Sequence, residues 1–501
     1  MWACLRRRNT IPAKRVSRSI RSKASKGRAR PASAGVIKVV NPATGTILER
    51  HPIATPDEVR LRVGKAREAY ATWSRDPPEA RAVYLHRFAD ILRRNRDAYA
   101  RTMTLEMGKT IRESLAEVDK CAWVSDYFAE NAARFLEPEP VATDALRSYV
   151  AFHPRGVLGS VMPWNFPMWQ IMRFAVPALA AGNTAVVKPS SVSPRSGIQI
   201  EDAFREAGLP DGVFQIVVGD GSTARALIRA DVDMVSLTGS VATGIRVARE
   251  AAKGLKKVIL ELGGSDPFIV AEDADLEAAA KGAVSARFIN CGQSCIAAKR
   301  FLVVENVADD FLARFAELVR DLKVGDPLRP DTDIGPLSSR SQRDEIEVQV
   351  KDALAKGAKA HAGGRRRKGR GFYFDPTVLG GVDRRMKVLK EETFGPVAPV
   401  IRVANVGEAI REANDSEFGL GASVWTRSLT LADEIARKLE AGLVFVNGAV
   451  RSDPRMPFGG VKHSGIGREL GRYGLLEMVN IKSVVVYPPE CGQTAAQAKS
   501  E

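Results

Sequence analysis

From residue 156 onward the chain alternates short apolar runs with amphipathic segments, and no other feature restricts its fold as much. Residues 157–162, 184–188, 214–218, 234–237 and 258–261 read as strands. Between them, 196–207 and 222–229 carry helical spacing. Strand–helix–strand repetition requires long crossovers, and so predicts a parallel, doubly wound α/β sheet. Such sheets bind ligands outside the carboxyl ends of their strands. A second alternating series follows residue 271, through 276–288, 300–304, 308–322 and 442–447. No Pro/Ser-rich linker divides the two series, which predicts two tightly packed lobes with a site between them. Ahead of them come a strand at 36–40, a Pro/Gly turn at 41–45, a helical stretch over 57–130 and a strand at 148–152. Thr55-Pro56-Asp57-Glu58 opens the helical stretch with a cap, an early proline and two acids at the positive end.

Charge raises a nucleic-acid reading and then weakens it. The net charge is +16, but residues 1–34 hold eleven Lys/Arg and no acid, and setting these aside leaves +5. This Arg- and Ser-rich head lacks the apolar residues to fold alone. It reads as a mitochondrial transit peptide, a basic tail or a translated upstream stretch. The run Arg365-Arg366-Arg367-Lys368-Gly369-Arg370 has no interleaved aromatics and reads as a solvated loop, not a nucleic-acid platform. No run of about 18 apolar residues exists, so no membrane helix is expected. Five cysteines in 501 residues form no disulfide framework and suit a reducing compartment. A cytoplasmic location is expected, or the mitochondrial matrix if the head is a transit peptide.

Several segments carry chemistry. Phe288-Ile289-Asn290-Cys291-Gly292-Gln293-Ser294-Cys295 reads as a turn holding two cysteines, either nucleophiles or small buried hydrophobes. Thr238-Gly239-Ser240 leaves a strand and opens a helix, where N–H groups can meet a phosphate or simply form a turn. Lys188-Pro189-Ser190-Ser191 ends another strand. There the lysine can reach a ribose or phosphate, or lie on the surface. Glu261-Leu262-Gly263-Gly264 sets a carboxylate beside an apolar run, as a base of raised pKa or a solvated acid. Pro163-Trp164-Asn165-Phe166-Pro167 holds one amide between two prolines and two aromatics, a rigid turn or a rigid oxyanion donor.

Taken in order, these segments resemble the NAD(P)-dependent aldehyde dehydrogenases over residues 36–487. The family-like runs are PWNFP at 163–167, KP at 188–189, TGS at 238–240, ELGG at 261–264 and N-x-G-Q-x-C at 290–295. EETFGP at 391–396 and PFGGVKHSGIGRE at 457–469 complete the series. The wording around them resembles succinate-semialdehyde dehydrogenases. The resemblance implies two Rossmann-like lobes plus a small β oligomerisation arm. It assigns 36–139 and 156–262 to a cofactor domain, 263–463 to a catalytic domain, and 140–155 and 464–490 to bridging segments. Residues 1–35 and 491–501 then form an extension and a tail. A homodimer or homotetramer is implied. The apolar run 484–486 can add a strand to a neighbour or close its own sheet.

The resemblance also distributes roles. Cys295 matches the nucleophile, Asn165 and the Cys295 N–H the oxyanion donors, Glu261 the base that activates water, and Glu469 a proton-relay position. Cofactor contacts fall on Trp164, Lys188, Ser190, Ser191, Thr238, Gly239, Ser240, Leu262, Glu392 and Phe394. Ser191 occupies the position where strict NAD enzymes usually carry Glu, which favours NADP over NAD. Arg173 matches a carboxylate-binding position, with an interlobe salt bridge as its competing role. Ser452, Arg451 and Gln170 are further substrate candidates. No metal is implied. Cys291 is either a bystander or a redox partner of Cys295. The implied substrate is succinate semialdehyde, with glutarate semialdehyde as the nearest rival. A CoA-acylating enzyme and a non-catalytic relative are the competing function classes. Glu261 argues against the first, and the Cys295, Glu261 and Asn165 set against the second.

Overall fold

Strands buried on both faces account for the apolar runs. The computed structural model describes residues 35–489, so the basic head at 1–34 and the expected tail at 491–501 lie outside the described residues. Along the strand Val157–Val161 successive side chains enter different cores. Leu158 joins one cluster with Ala185, Val187 and Met234, and Val157 joins another with Val186, Val235 and Leu237. With helices covering both faces, neither face needs polar residues, so a buried parallel strand reads as continuous hydrophobe.

The first sheet has six strands, in spatial order Gly465–Ile466, Lys257–Glu261, Met234–Thr238, Val157–Val161, Thr184–Lys188 and Phe214–Ile216. All neighbours are parallel except the edge pair, where Gly465 lies opposite Glu261. Chain order runs outward from Val157–Val161 in one direction, then resumes on its other side with Met234–Thr238. That reversal opens a crevice at the carboxyl ends of these two strands. The turn 163–167 and the segment Thr238-Gly239-Ser240 leave the sheet there.

The second sheet has seven strands: Lys359–Ala362, Thr377–Gly380, Val397–Val403, Ala298–Val304, Asp266–Val270, Gly421–Trp425 and Leu443–Val446. It too is parallel except at one edge. Phe268 and Phe301 face one core, and Ile269 and Leu302 the other. The loop with Cys295 precedes the strand Ala298–Val304, so it feeds that strand's amino end. The nucleophile candidate is therefore offered from the amino end of one sheet toward the carboxyl ends of the other.

A third sheet joins Glu139–Pro140, Arg147–Pro154 and Val479–Val486, with Val150 opposite both Glu139 and Ser483. The apolar run at 484–486 thus pairs with its own chain along one edge. The helix Ile111–Phe135 begins with a reciprocal cap between Thr110 and Glu113, and packs on the helix Pro167–Ala180. Its buried face includes polar residues, Ser114, Glu117 and Ser125, which marks it as more than a core support. Arg365 and Arg367 pair with Asp375, and Arg366 lies 3.4 Å from Glu347, as expected for a solvated basic loop. Among the described residues no helix is long and apolar enough to cross a membrane.

Candidate active site

Cys295 sits at the end of a turn of unusual handedness. After the helix Leu276–Phe288, Asn290 and Cys291 take left-handed conformations (φ 51° and 55°), and Gly292 follows at φ 72°. Each non-glycine residue there costs roughly 1–2 kcal/mol, so the turn must be held by its surroundings. Glu113 Oε1 accepts the Asn290 N–H at 2.6 Å. Asn290 Nδ2 donates to the Asn165 and Gln293 carbonyls, at 2.6 and 3.1 Å. Gln293 donates back to the Asn290 carbonyl and accepts the Ser338 N–H. Below the loop, Lys299 Nζ donates to the carbonyls of Ser294 (3.0 Å) and Cys295 (2.6 Å). Arg287, fully buried, donates to the carbonyls of Gly292, Ala298, Thr393 and Gly395, tying this loop to the segment with Glu392 and Phe394.

The turn separates the two cysteines. Cys291 is buried in the core of the second sheet, whereas Cys295 packs beside the first-sheet core and is partly exposed. Two cavities meet at Cys295, of about 680 and 430 Å³. Burial pushes its thiol up to about 11, opposed by the charges of Arg173 and Lys299 and reinforced by Glu261 and Glu392. The resting sulfur is therefore protonated near neutrality and needs a base or a closer cation to become a thiolate.

The smaller cavity lies at the crevice of the first sheet. Trp164, Asn165, Thr238, Gly239, Ser240, Leu262, Glu392 and Phe394 line it. Trp164 and Phe394 meet edge to face at 5.7 Å. Ser240 caps the helix Val241–Ala252, whose first N–H groups and dipole favour an anion. Glu392 Oε1 accepts the Gly264 N–H at 3.1 Å and lies 3.4 Å from Lys299 Nζ. A helix N-terminus, an aromatic pair and a carboxylate in sequence along one crevice fit a dinucleotide's phosphates, nicotinamide and ribose. Three expected contacts stand back from this cavity's wall. Lys188 Nζ donates to the Pro189 and Gly219 carbonyls, and burial pushes it down to about 8. Ser190 Oγ accepts the Val192 N–H, and Ser191 is exposed.

Asn165 lines the smaller cavity and meets Gln170 of the larger one. Its Nδ2 donates to the Gln293 carbonyl at 3.1 Å, and its Oδ1 accepts from Gln170 Nε2 at 3.4 Å. Glu261 is 2% exposed and lines neither cavity. Both its carboxylate oxygens lack a hydrogen-bond partner, and a Cβ at Gly459 would come within 2.6 Å of one of them. Burial holds it well above the usual carboxylate range, with Glu469 adding to the shift and Arg173 opposing it. A buried carboxylate without donors is costly in a merely structural position.

The larger cavity has apolar walls from Phe166, Trp169, Ile289, Ile296, Phe445 and Phe458. Its polar residues include Lys120, Gln170, Arg173, Arg451 and Ser452. Of the two roles the sequence left open for Arg173, the structure shows a salt bridge. Arg173, expected to face a substrate carboxylate, is ion-paired with Glu469, and both are buried. It also donates to Thr238 Oγ1 at 3.3 Å and lies over the Phe458 ring. Glu469, expected as a proton relay, is thereby committed to a counterion. The physical reason is that a carboxylate with no exposure requires a cation, and Arg173 is the cation beside it. Arg451 is exposed at the cavity's edge. Glu113, Lys120, Arg287 and Lys299 were not legible as site residues. The only trace of the first two was Glu113, Glu117 and Lys120 recurring at helical spacing along one face of Ile111–Phe135.

Two cavities converging on one thiol, one of them at the switch point of a parallel sheet, define a dehydrogenase-like site with a nucleotide on one side and a second substrate on the other. The aldehyde dehydrogenase family model matches residues 29–484, and the chain belongs to that family. It is 46% identical over 449 residues to a Synechocystis sp. protein named "Probable succinate-semialdehyde dehydrogenase" for NADP(+), covering 89% of this chain and 99% of that protein. It is 44% identical over 452 residues to a Mycobacterium tuberculosis protein named succinate-semialdehyde dehydrogenase (NADP(+)) 1, with the same coverage. Its fold matches the crystal structure of succinic semialdehyde dehydrogenase from Streptococcus pyogenes in complex with NADP+. That match has a TM-score of 0.88 at 37% identity, covering 90% of this chain and all of that one.

Proposed function

We propose that this aldehyde dehydrogenase oxidises succinate semialdehyde to succinate, favours NADP over NAD, and releases the acyl group to water. The observation that carries the reading is that the larger cavity, which reaches Cys295 and has apolar walls, also holds Lys120, Arg451 and Ser452, while its acids Glu113 and Glu117 are engaged by backbone N–H groups and Lys109. Such a cavity suits an aldehyde with a carboxylate at its other end. The relatives' names point the same way. For the cofactor, Ser191 places a hydroxyl and no carboxylate three residues beyond Lys188, which leaves that position without the negative charge that would repel a 2′-phosphate.

The residues divide the reaction as follows. Cys295 sulfur, once deprotonated, bonds to the aldehyde carbon, and the carbonyl oxygen takes the electron pair. Asn165 Nδ2 keeps one hydrogen for that oxygen while the other stays on the Gln293 carbonyl. Arg173 and Lys299 favour the thiolate, as their opposition to the buried thiol's shift indicates. The bound oxidised nicotinamide would supply the acceptor for the hydride leaving the same carbon. Glu261 then takes a proton from the water that attacks the resulting thioester, and Cys295 sulfur departs as thiolate. From its place against Gly459 the Glu261 carboxylate must swing toward Cys295 to do this.

A steady-state panel of succinate semialdehyde, glutarate semialdehyde, butanal and propanal, each with NAD and NADP, tests the proposal. The expected result is the highest kcat/KM for succinate semialdehyde with NADP. An equal or higher value for butanal or propanal would overturn it. Discrimination against the five-carbon semialdehyde is expected to be modest, since one methylene is worth about 1–3 kcal/mol.

A further inference from the structure

We propose that Lys120, held by Ser452 and Trp169, receives the far carboxylate of the substrate, a role that the family resemblance implied for Arg173. This inference rests on the semialdehyde reading above. Lys120 lies on the helix Ile111–Phe135 and lines the larger cavity together with Cys295. Its Nζ is 2.6 Å from Ser452 Oγ and 4.2 Å from the centre of the Trp169 ring.

Arg451 also lacks an ion pair among the described residues but is exposed at the cavity's edge, and among the cations held inside the site Lys120 stands apart. Arg173 is committed to Glu469. Lys109 is committed to Glu117, whose other oxygen accepts the N–H groups of Met168 and Trp169. Lys299 has carbonyls and Glu392, Lys188 has two carbonyls, and Arg287 has four. Glu113 accepts the Asn290 N–H and closes the Thr110 cap. Asp453 pairs with Arg455, and Asp119 with Arg96. Lys120 faces the cavity with a hydroxyl and an aromatic face and, among the described residues, no carboxylate within ion-pair distance.

An ammonium has three donors. Ser452 occupies one and the ring of Trp169 shields another side, which leaves the remainder for an incoming anion. Burial already pushes Lys120 down to about 8, with the Arg173 charge adding to the shift. A substrate carboxylate would be drawn to the Lys120 charge and would oppose the shift. The two cations then have separate tasks. Arg173 neutralises Glu469 and biases Cys295, and Lys120 sorts aldehydes by their far end.

Kinetics of the full chain and of Lys120→Met on succinate semialdehyde and butanal test this. The expected result is a KM for succinate semialdehyde raised tenfold to a hundredfold, with kcat changed by less than about threefold and the butanal KM changed far less. Ser452→Ala is expected to give a smaller rise in the same direction. Protection of Cys295 against iodoacetamide by succinate gives a second readout, expected in wild type and lost in Lys120→Met. Lys120→Gln carries the same expectations if the Met variant does not fold. A wild type that prefers the semialdehyde, with that preference and the succinate protection intact in the variants, overturns the assignment to Lys120 alone. A wild type indifferent to the far carboxylate overturns the substrate reading and this inference with it.

Discussion

Replacing Arg173 with Met separates the role read from sequence from the role read from structure. If Arg173 served only a substrate carboxylate, its loss would raise the KM for succinate semialdehyde and spare stability. In the structure its guanidinium is the counterion of Glu469, and the two residues are 1% and 0% exposed. Breaking a buried pair from one side costs roughly 3–5 kcal/mol, because the orphaned charge keeps its desolvation penalty. Glu469 can shed part of that cost by taking a proton, and burial already raises its pKa. A carboxyl group raised in the folded state binds its proton more tightly there than in the unfolded chain. Its favourable contribution is therefore lost as pH rises through the folded value. The variant should lose less stability at pH 6 than at pH 9. Urea unfolding of wild type, Arg173→Met, Glu469→Gln and the double variant measures the coupling. Most of the single-variant loss should return in the double variant. The Arg173 charge is also the largest opposing the rise of the Cys295 thiol, so iodoacetamide should react more slowly in Arg173→Met at pH 8. A variant as stable as wild type at both pH values, with a defect confined to the semialdehyde KM, would refute the pairing and return Arg173 to the substrate.

Three further outcomes follow from the same coordinates. Gly292→Ala should abolish activity and destabilise the chain, since φ is 72° there and a Cβ would collide with the Gly395 carbonyl; near-normal kcat would contradict the turn described above. Glu261→Gln should leave a burst of about one reduced cofactor per site, followed by a steady rate lower by roughly 10²–10⁴, whereas a slow rate without a burst would place Glu261 before hydride transfer. Burial raises Asp266 to about 7, so its protonated form favours folding and that contribution fades as pH rises from about 4 through 7. Asp266→Asn, keeping an acceptor for the Gly421 N–H, should reduce the fall in urea midpoint between pH 5 and pH 8, and an unchanged fall would count against that shift.

What the sequence disclosed depended on whether a signal was local. Strands buried on two faces write themselves as apolar runs, so the parallel strands of the first sheet were legible from 157 to 261, though not their order in space. The strand ends shifted by only a residue or two. The helix Arg340–Ala355 went unrecognised, because its buried residues Ile346, Val350 and Ala353 stand among nine charged or amide residues. Lys120 was invisible for a different reason. Its partner Ser452 is 332 positions away, and nothing on a helix surface distinguishes a lysine under a distant loop from one in water. Glu113 meets Asn290 across 177 positions with the same result. The cysteine spacing of four likewise could not reveal that two left-handed residues would turn Cys291 into the second core and leave Cys295 at the cavities.

The distribution of charge about Cys295 gives the proposed reaction a direction. On the side proposed for the aldehyde stand Lys120 and Arg451, with Arg173 already paired to Glu469, and the acids among them, Glu113 and Glu117, are occupied by backbone donors and Lys109. On the cofactor side stand Glu345, Glu391 and Glu392. Burial and the two neighbouring acids raise Glu345, as mutual repulsion in a shared cavity requires. An anionic far end is thus attracted on one side of the thiol and repelled on the other. The oxidised nicotinamide ring is cationic and has the opposite preference. Both cavities reach Cys295, and shape alone would allow a small aldehyde to enter either. At short range such a difference in potential favours one placement of the far carboxylate over the other. Charge therefore directs the substrate's far carboxylate toward the Lys120 side, and the cysteine lies where a carbon held from that side can release hydride toward the cavity lined by Glu392.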